Sequence, residues 1–201
     1  MEKGVLPLAM ADFQEGARVL GRAFQDDPVA VSILRAVSPT IRVKRLTVAF
    51  SADLNACERR GMPIHVREDD RIAGVAIVHP PGAYPLPITA QMGILLKTVL
   101  RNGPYGFGRW LTYLSHIEKQ HLKDPHYYLE FIGVEPDLHG KGLGSSMLKH
   151  LASSADQDQV GCFLETGNPK NVPLYQRFGF ETVAEEQIIG VNTWFMWRSP
   201  S

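Results

Sequence analysis

The sequence predicts an α/β fold, a mixed central sheet of about seven strands with helices on both faces. Three observations lead there. Residues 126–166 read strand, glycine-rich turn, helix, strand, the order that builds parallel neighbours. Two runs near 63–81 and two near 181–198 read as antiparallel pairs. Helical periodicity fills much of the first 57 residues.

The elements follow in order. "VLPLAM" reads as a short opening strand. Asp12 is placed to cap a helix running to about Phe24, with Phe13, Ala17, Leu20 and Phe24 on one side. "DDP" at 26–28 breaks it. Pro39-Thr40 starts a second helix that ends before Gly61, with Ile41, Leu46, Val48, Ala49, Leu54 and Cys57 apolar. "PIHVRED" and "RIAGVAIVHPP" form a hairpin around Asp69-Asp70. After the proline-rich "PPGAYPLP", helical pieces are predicted at Ala90–Leu100 and Phe107–Leu122, separated by "RNGPYG". They serve either as cover for a site or as plain packing on the sheet. "HYYLEFIGV" (126–134) is a strand, Gly144 to about Ser154 a helix carrying Met147, Leu148 and Leu151, and "GCFLET" (161–166) a strand. A short helix from Asn171 to Phe178 closes at Gly179, a residue favoured just past a helix end. "ETVAEEQI" and "NTWFMWR" complete an antiparallel pair.

Length and composition bound the function. A chain of 201 residues suits one domain, or at most two small ones. Lys plus Arg equals Asp plus Glu at 21 each, which argues against a nucleic-acid partner. The most apolar internal run, Met92–Leu100, is interrupted by Gly93 and Lys97 and falls short of the roughly 20 residues a membrane span takes. No membrane partner is expected. The N-terminus has too short an apolar stretch for a signal peptide, and Cys57 and Cys162 show no disulfide framework. The expectation is a cytoplasmic chain, monomeric or homodimeric. His65, His79, His116, His121, His126 and His150 show no metal-ligand spacing, so no metal is expected.

The corner "DLHGKGLGSSML" carries the chemistry. Gly140, Gly142 and Gly144 lie between a strand and a helix start. Unpaired amides and the helix dipole make such a start an anion site, and glycine lets the backbone approach the anion. Lys141 adds a charge, and Ser145 and Ser146 add hydroxyls. The nucleotide P-loop pattern fails because Gly142 follows Lys141, and the G-x-G-x-G spacing is not the dinucleotide fingerprint. What remains is a loop wrapping a pyrophosphate, or a purely structural turn.

The run "FIGVEPDLHGKGLGSSML" with "FLETGNPKNVPLYQRFGF", over about residues 126–186, resembles the acetyl-CoA-binding core of the GNAT N-acetyltransferases. The family loop, Gln/Arg-x-x-Gly-x-Gly/Ala, appears here as His139-Gly140-Lys141-Gly142-Leu143-Gly144, with His139 replacing the usual Gln or Arg. "GKGLGS" and the closing "TW" and "M" extend the likeness to the branch acting on puromycin-like aminonucleosides. A single domain over 1–201 is expected, with a helical insertion at about 84–124 on the acceptor side, a segment that carries little of the resemblance. The resemblance implies strands 126–134 and 161–166 splayed apart, and acetyl-CoA as cosubstrate. The pantetheine arm would pair with the backbone at Ile132, Gly133 and Val134. The pyrophosphate would lie over His139, Gly140, Lys141, Gly142, Leu143, Gly144 and Ser145. Asn168 and Asn171 would bind the arm or cap the short helix.

The resemblance also implies acetyl transfer to the primary amine of a small molecule by direct attack in a ternary complex. An alkylammonium of pKa about 10.4 costs about 4–5 kcal/mol to neutralise at pH 7, so a base is useful. Glu130 is the carboxylate within the 126–134 strand, and alternation puts it on the face of Tyr128 and Ile132. It is either the base or a structural carboxylate, and Glu165 is an alternative. Tyr175 matches the family's general acid, a phenol that protonates the departing thiolate. Cys162 reads as core, and Trp194 and Trp197 as core or acceptor-side residues. The rival readings are a non-catalytic acyl-CoA-binding or antibiotic-sequestering module and a protein or peptide N-acetyltransferase.

Overall fold

The computed structural model of the chain describes residues 4–35, 37–57, 61–85 and 106–201. Among the described residues, seven strands form one sheet: β1 (Val5–Pro7), β2 (Ile64–Glu68), β3 (Arg71–His79), β4 (His126–Val134), β5 (Gly161–Thr166), β6 (Glu181–Ile188) and β7 (Val191–Arg198). Their order is β1-β2-β3-β4-β5-β7-β6. β4 and β5 run parallel, and the other neighbours described are antiparallel. The mixed seven-stranded sheet is therefore as the sequence predicts. The helices are α1 (Phe13–Ala23), α2 (Pro28–Ile33), α3 (Pro39–Cys57), α4 (residues 106–120), α5 (Leu143–Gln157) and α6 (Val172–Gln176). The helical piece expected at Ala90–Leu100 lies outside the described residues.

Both faces of the sheet are covered. Ala17 and Leu20 of α1 and Phe50 and Leu54 of α3 pack with Val75 and Ile77. On the other face Met147, Leu148 and Leu151 of α5 pack with Ala76, Val78 and Leu129. Burial on two sides explains why β3 reads as a continuous apolar run rather than an alternating one. Each such Leu, Val or Phe contributes about 1.5–3 kcal/mol. Ile117 of α4 joins Tyr128, Phe163 and Phe195 in a third cluster beside β5.

Three local expectations are corrected. Asp12 makes no capping hydrogen bond to α1, and its carboxylate lies 3.3 Å from Arg67 Nη2. A 3-10 turn at Met10–Asp12 leads the chain into α1 instead. Second, "DDP" both ends α1 and starts α2. Asp27 accepts from the amides of Val29 (2.9 Å) and Ala30 (3.1 Å), with Pro28 in the first helical turn.

The third correction is in β4. Phe131 pairs with Ile77 and Leu129 with Val78, so Glu130 has no residue opposite it. This bulge breaks the alternation on which the face of Glu130 was predicted. Ile132 packs into the α5 cluster, whereas Glu130 reaches His79 on the α3 side. Tyr128 stays near Glu130, stacked on His79 with ring centroids 5.8 Å apart.

Candidate active site

β4 and β5 pair from His126↔Gly161 to Leu129↔Leu164 and then stop, although β4 continues to Val134 and β5 to Thr166. Ligands of open α/β sheets favour the carboxyl ends of strands at such a parting. Two clefts open there.

The first, about 780 Å³, lies over the glycine corner. It is lined by Ile132, Gly133, Val134, His139, Gly140, Gly142, Leu143, Gly144, Ser145, Asn168 and Asn171. Those are the residues the sequence assigns to the cofactor, with one exception. Lys141 turns away, its Nζ 3.3 Å from Glu68 and its amide donating to the carbonyl of Leu138. Gly140 and Gly142 hold φ of +82° and +78°, the left-handed region that costs other residues about 1–2 kcal/mol. A Cβ at either would meet nothing within 4 Å, so the glycines serve backbone shape and open space. Gly133 has a different purpose. A Cβ there would lie 2.8 Å from that of Ala23, so it lets α1 approach β4.

The polar residues of this cleft also differ in part from expectation. The ring of His139 folds back to the carbonyl of Val134, with Nε2 3.1 Å away. Asn168 Oδ1 accepts from the Lys170 amide at 3.1 Å, closing the turn into α6. Asn171 precedes α6 but makes no side-chain capping bond, and its carbonyl accepts from the amide of Tyr175. The opposite wall, Arg22 to Asp27, was not assigned from sequence. It is fixed by Arg22, which donates to buried Glu135 just past β4.

The second cleft, about 230 Å³, lies between α2, α3, α4 and the β4–β5 parting. Tyr175 lines both clefts and is 5% exposed. Burial, with the charges of Asp27 and Glu165, pushes its phenol above the usual range, so it stays protonated and able to donate. Glu130 Oε2 lies 2.7 Å from Nε2 of His79. Cys57 Sγ is 3.9 Å from the same nitrogen. Cys57, His79 and Glu130 keep their donor atoms within 4.8 Å of one another, a donor set of the kind a zinc ion takes. At 2.7 Å the His79–Glu130 contact is itself a hydrogen bond.

Glu165 Oε1 accepts from the Tyr128 hydroxyl at 2.9 Å, and Oε2 has no hydrogen-bond partner among the described residues. Burial above all, with the charge of Glu130, lifts its carboxyl to about 8 against the pull of the Tyr128 bond. Asp53 also lines this cleft, raised well above the carboxylate range by burial and by Glu130. Sequence reading passed over Asp53, although its signal was present. It lies between Phe50, Leu54 and Cys57 on the buried face of α3. Trp194 and Trp197 pack in the cores instead of lining this cleft.

The Acetyltransferase (GNAT) family profile matches residues 32–180. The chain belongs to that family. It is thus a GNAT acetyltransferase, and the glycine corner is the part of the match that the first cleft exposes. It is 26% identical over 177 residues to an uncharacterised N-acetyltransferase of Schizosaccharomyces pombe, covering 84% of this chain and 70% of that protein. Its fold is similar to a Corynebacterium glutamicum structure described as histone acetyltransferase HPA2 and related acetyltransferase (TM-score 0.75, 24% identity, 100% and 98% of the two chains). It is also similar to a Drosophila melanogaster polyamine N-acetyltransferase (TM-score 0.63, 12% identity, 98% and 99%). GNAT enzymes take acetyl-CoA and act on small-molecule or peptide amines. Among the described residues no helix is long and apolar enough to cross a membrane.

Proposed function

We propose that this GNAT enzyme transfers the acetyl group of acetyl-CoA to the primary amine of a small molecule, by direct attack within a ternary complex. One observation carries the reading: the cleft over the glycine corner and the acidic, aromatic cleft share Tyr175 as a common wall. The first fits coenzyme A, since its floor is left-handed glycine backbone at a helix start. Acetyl-CoA supplies the activated acyl carbon and the thiolate leaving group.

The chain's own residues supply the rest. The amides of Gly140 and of Gly142 to Ser145 hold the pyrophosphate, and the unpaired edge at Ile132–Val134 receives the pantetheine arm. Since Lys141 is engaged with Glu68, backbone donors carry this contact. Glu130, held by His79, takes the proton of the amine. As the N–C bond forms and the C–S bond breaks, the Tyr175 hydroxyl gives its proton to sulfur. Glu165, bonded to Tyr128, borders the same space. The chain acts as one unit, with Tyr84 and α4 on the acceptor side and residues 86–105 outside the described residues. A puromycin-like aminonucleoside is one acceptor consistent with the sequence likeness, and other small amines are equally so.

The test is direct. Purified protein with acetyl-CoA and an amine panel releases free thiol in proportion to acetylated product. Saturable coenzyme A binding with no thiol release from any amine would favour the non-catalytic module instead.

A further inference from the structure

Among the described residues, the lining of the acceptor cleft is far more acidic than the chain that builds it. Asp27, Asp53, Glu118, Glu130 and Glu165 line it, against Arg45 as the one lining guanidinium or ammonium among the described residues. The whole chain carries no net charge. A second observation shows that this is more than a solvated acidic patch. Asp53 is 9% exposed, lines the cleft and makes no hydrogen bond or ion pair among the described residues. Without a partner, burial and the nearby Glu130 keep the Asp53 carboxyl protonated, and a cation beside it would favour the ionised form.

The carboxylates are spread along the cleft. Asp53 stands on α3, where its charge bears on Cys57. Asp27 and Glu165 bear on Tyr175 at the thioester end. Glu130 lies between, acting on both Asp53 and Glu165. Tyr84, Trp110, Tyr113 and Tyr128 supply aromatic faces, which attract cations. At about 230 Å³ the space falls below the roughly 300–1,000 Å³ of pockets for drug-sized ligands, which selects a slender acceptor.

We propose that the acceptor is a dication, a primary amine joined by a short aliphatic chain to a second positively charged group. The reacting nitrogen lies by Glu130 and Tyr175, and the distal cation is held by Asp53. This rests on the acetyltransferase reading above and narrows its substrate class.

The test compares 1,4-diaminobutane, n-butylamine and puromycin by thiol release. It is paired with calorimetric titration of each amine into the protein saturated with coenzyme A. Diaminobutane is expected to exceed butylamine at least about tenfold in kcat/KM, the scale of one added buried charge pair. Asp53→Asn should shrink that ratio, chiefly through KM for the diamine, while an unchanged melting temperature certifies the fold. Equal or better turnover of butylamine or puromycin overturns the dication proposal and leaves the transferase reading intact. Tighter diaminobutane binding without turnover of any amine keeps the dication pocket and sinks the transferase reading. Failure of diaminobutane to bind or react overturns the proposal whatever the other amines do.

Discussion

Nε2 of His79 lies 2.7 Å from Oε2 of Glu130, and the histidine has no solvent exposure. An ionised carboxylate can only accept, so in that state Nε2 carries the proton and donates. Nδ1 is then a buried acceptor without a partner among the described residues. The pair fixes one oxygen of Glu130 at the bulge, where β4 leaves its partner strand. Glu130→Gln removes the base and keeps the shape. Its kcat/KM for an alkylamine should fall by about 10²- to 10⁴-fold. For an arylamine that is already neutral at pH 7, the loss should be much smaller. Equal losses for both acceptors would assign Glu130 a structural role.

Tyr175 offers a separate test of the leaving-group step. Tyr175→Phe keeps the ring that packs edge-on with Phe180, at a centroid distance of 6.1 Å. Turnover should drop by about 10- to 10⁴-fold while coenzyme A affinity is kept. Thiol release and calorimetry on the same preparation check both halves. Unchanged turnover would leave the phenol a packing residue.

Much of this was legible in the sequence, for physical reasons. β3, β4, β5 and β7 announce themselves through apolar runs bounded by turns, and the glycine corner through backbone demands that few residues other than glycine meet. What was hidden depends on breaks in periodicity or on contacts across the fold. Alternation predicts one face for Tyr128, Glu130 and Ile132, and a one-residue bulge sends Ile132 to the other. Pro28 reads as a helix breaker, yet the same residue with Asp27 is a helix start. Cys57, His79 and Glu130 are 22 and 51 residues apart, so no local spacing could reveal them. Lys141 looks like a phosphate ligand until Glu68, from a distant hairpin, claims it.

Gly144→Val probes the cofactor cleft without backbone strain. Gly144 lies in the first turn of α5, outside the left-handed region, and a Cβ there would sit 3.8 Å from Val134. Valine in a helix costs less than about 1 kcal/mol of intrinsic propensity. The variant should therefore fold while its branched side chain enters the cleft, with coenzyme A affinity reduced at least about tenfold. Wild-type affinity would mean that the pyrophosphate lies elsewhere.

Glu165 ties the cleft to stability. Its carboxyl is raised from 4.5 to about 8 in the fold, so the folded chain holds a proton that the unfolded chain releases. Its contribution therefore disfavours folding increasingly as pH rises from about 4.5 to about 8. Glu165→Gln keeps an oxygen for the Tyr128 hydroxyl and does not titrate. The melting temperature of the variant relative to the native chain should climb across that window and level off above it. A difference independent of pH would show that Glu165 ionises normally in the fold.

Acetyl transfer at this site depends most on main-chain donors at the glycine corner gripping a diphosphate. Calorimetric titration of the folded protein with coenzyme A tests this most directly. Saturable binding of one molecule per chain, weakened when dephosphorylated pantetheine replaces the intact molecule, is the predicted result. No detectable heat or saturation up to millimolar coenzyme A would contradict it.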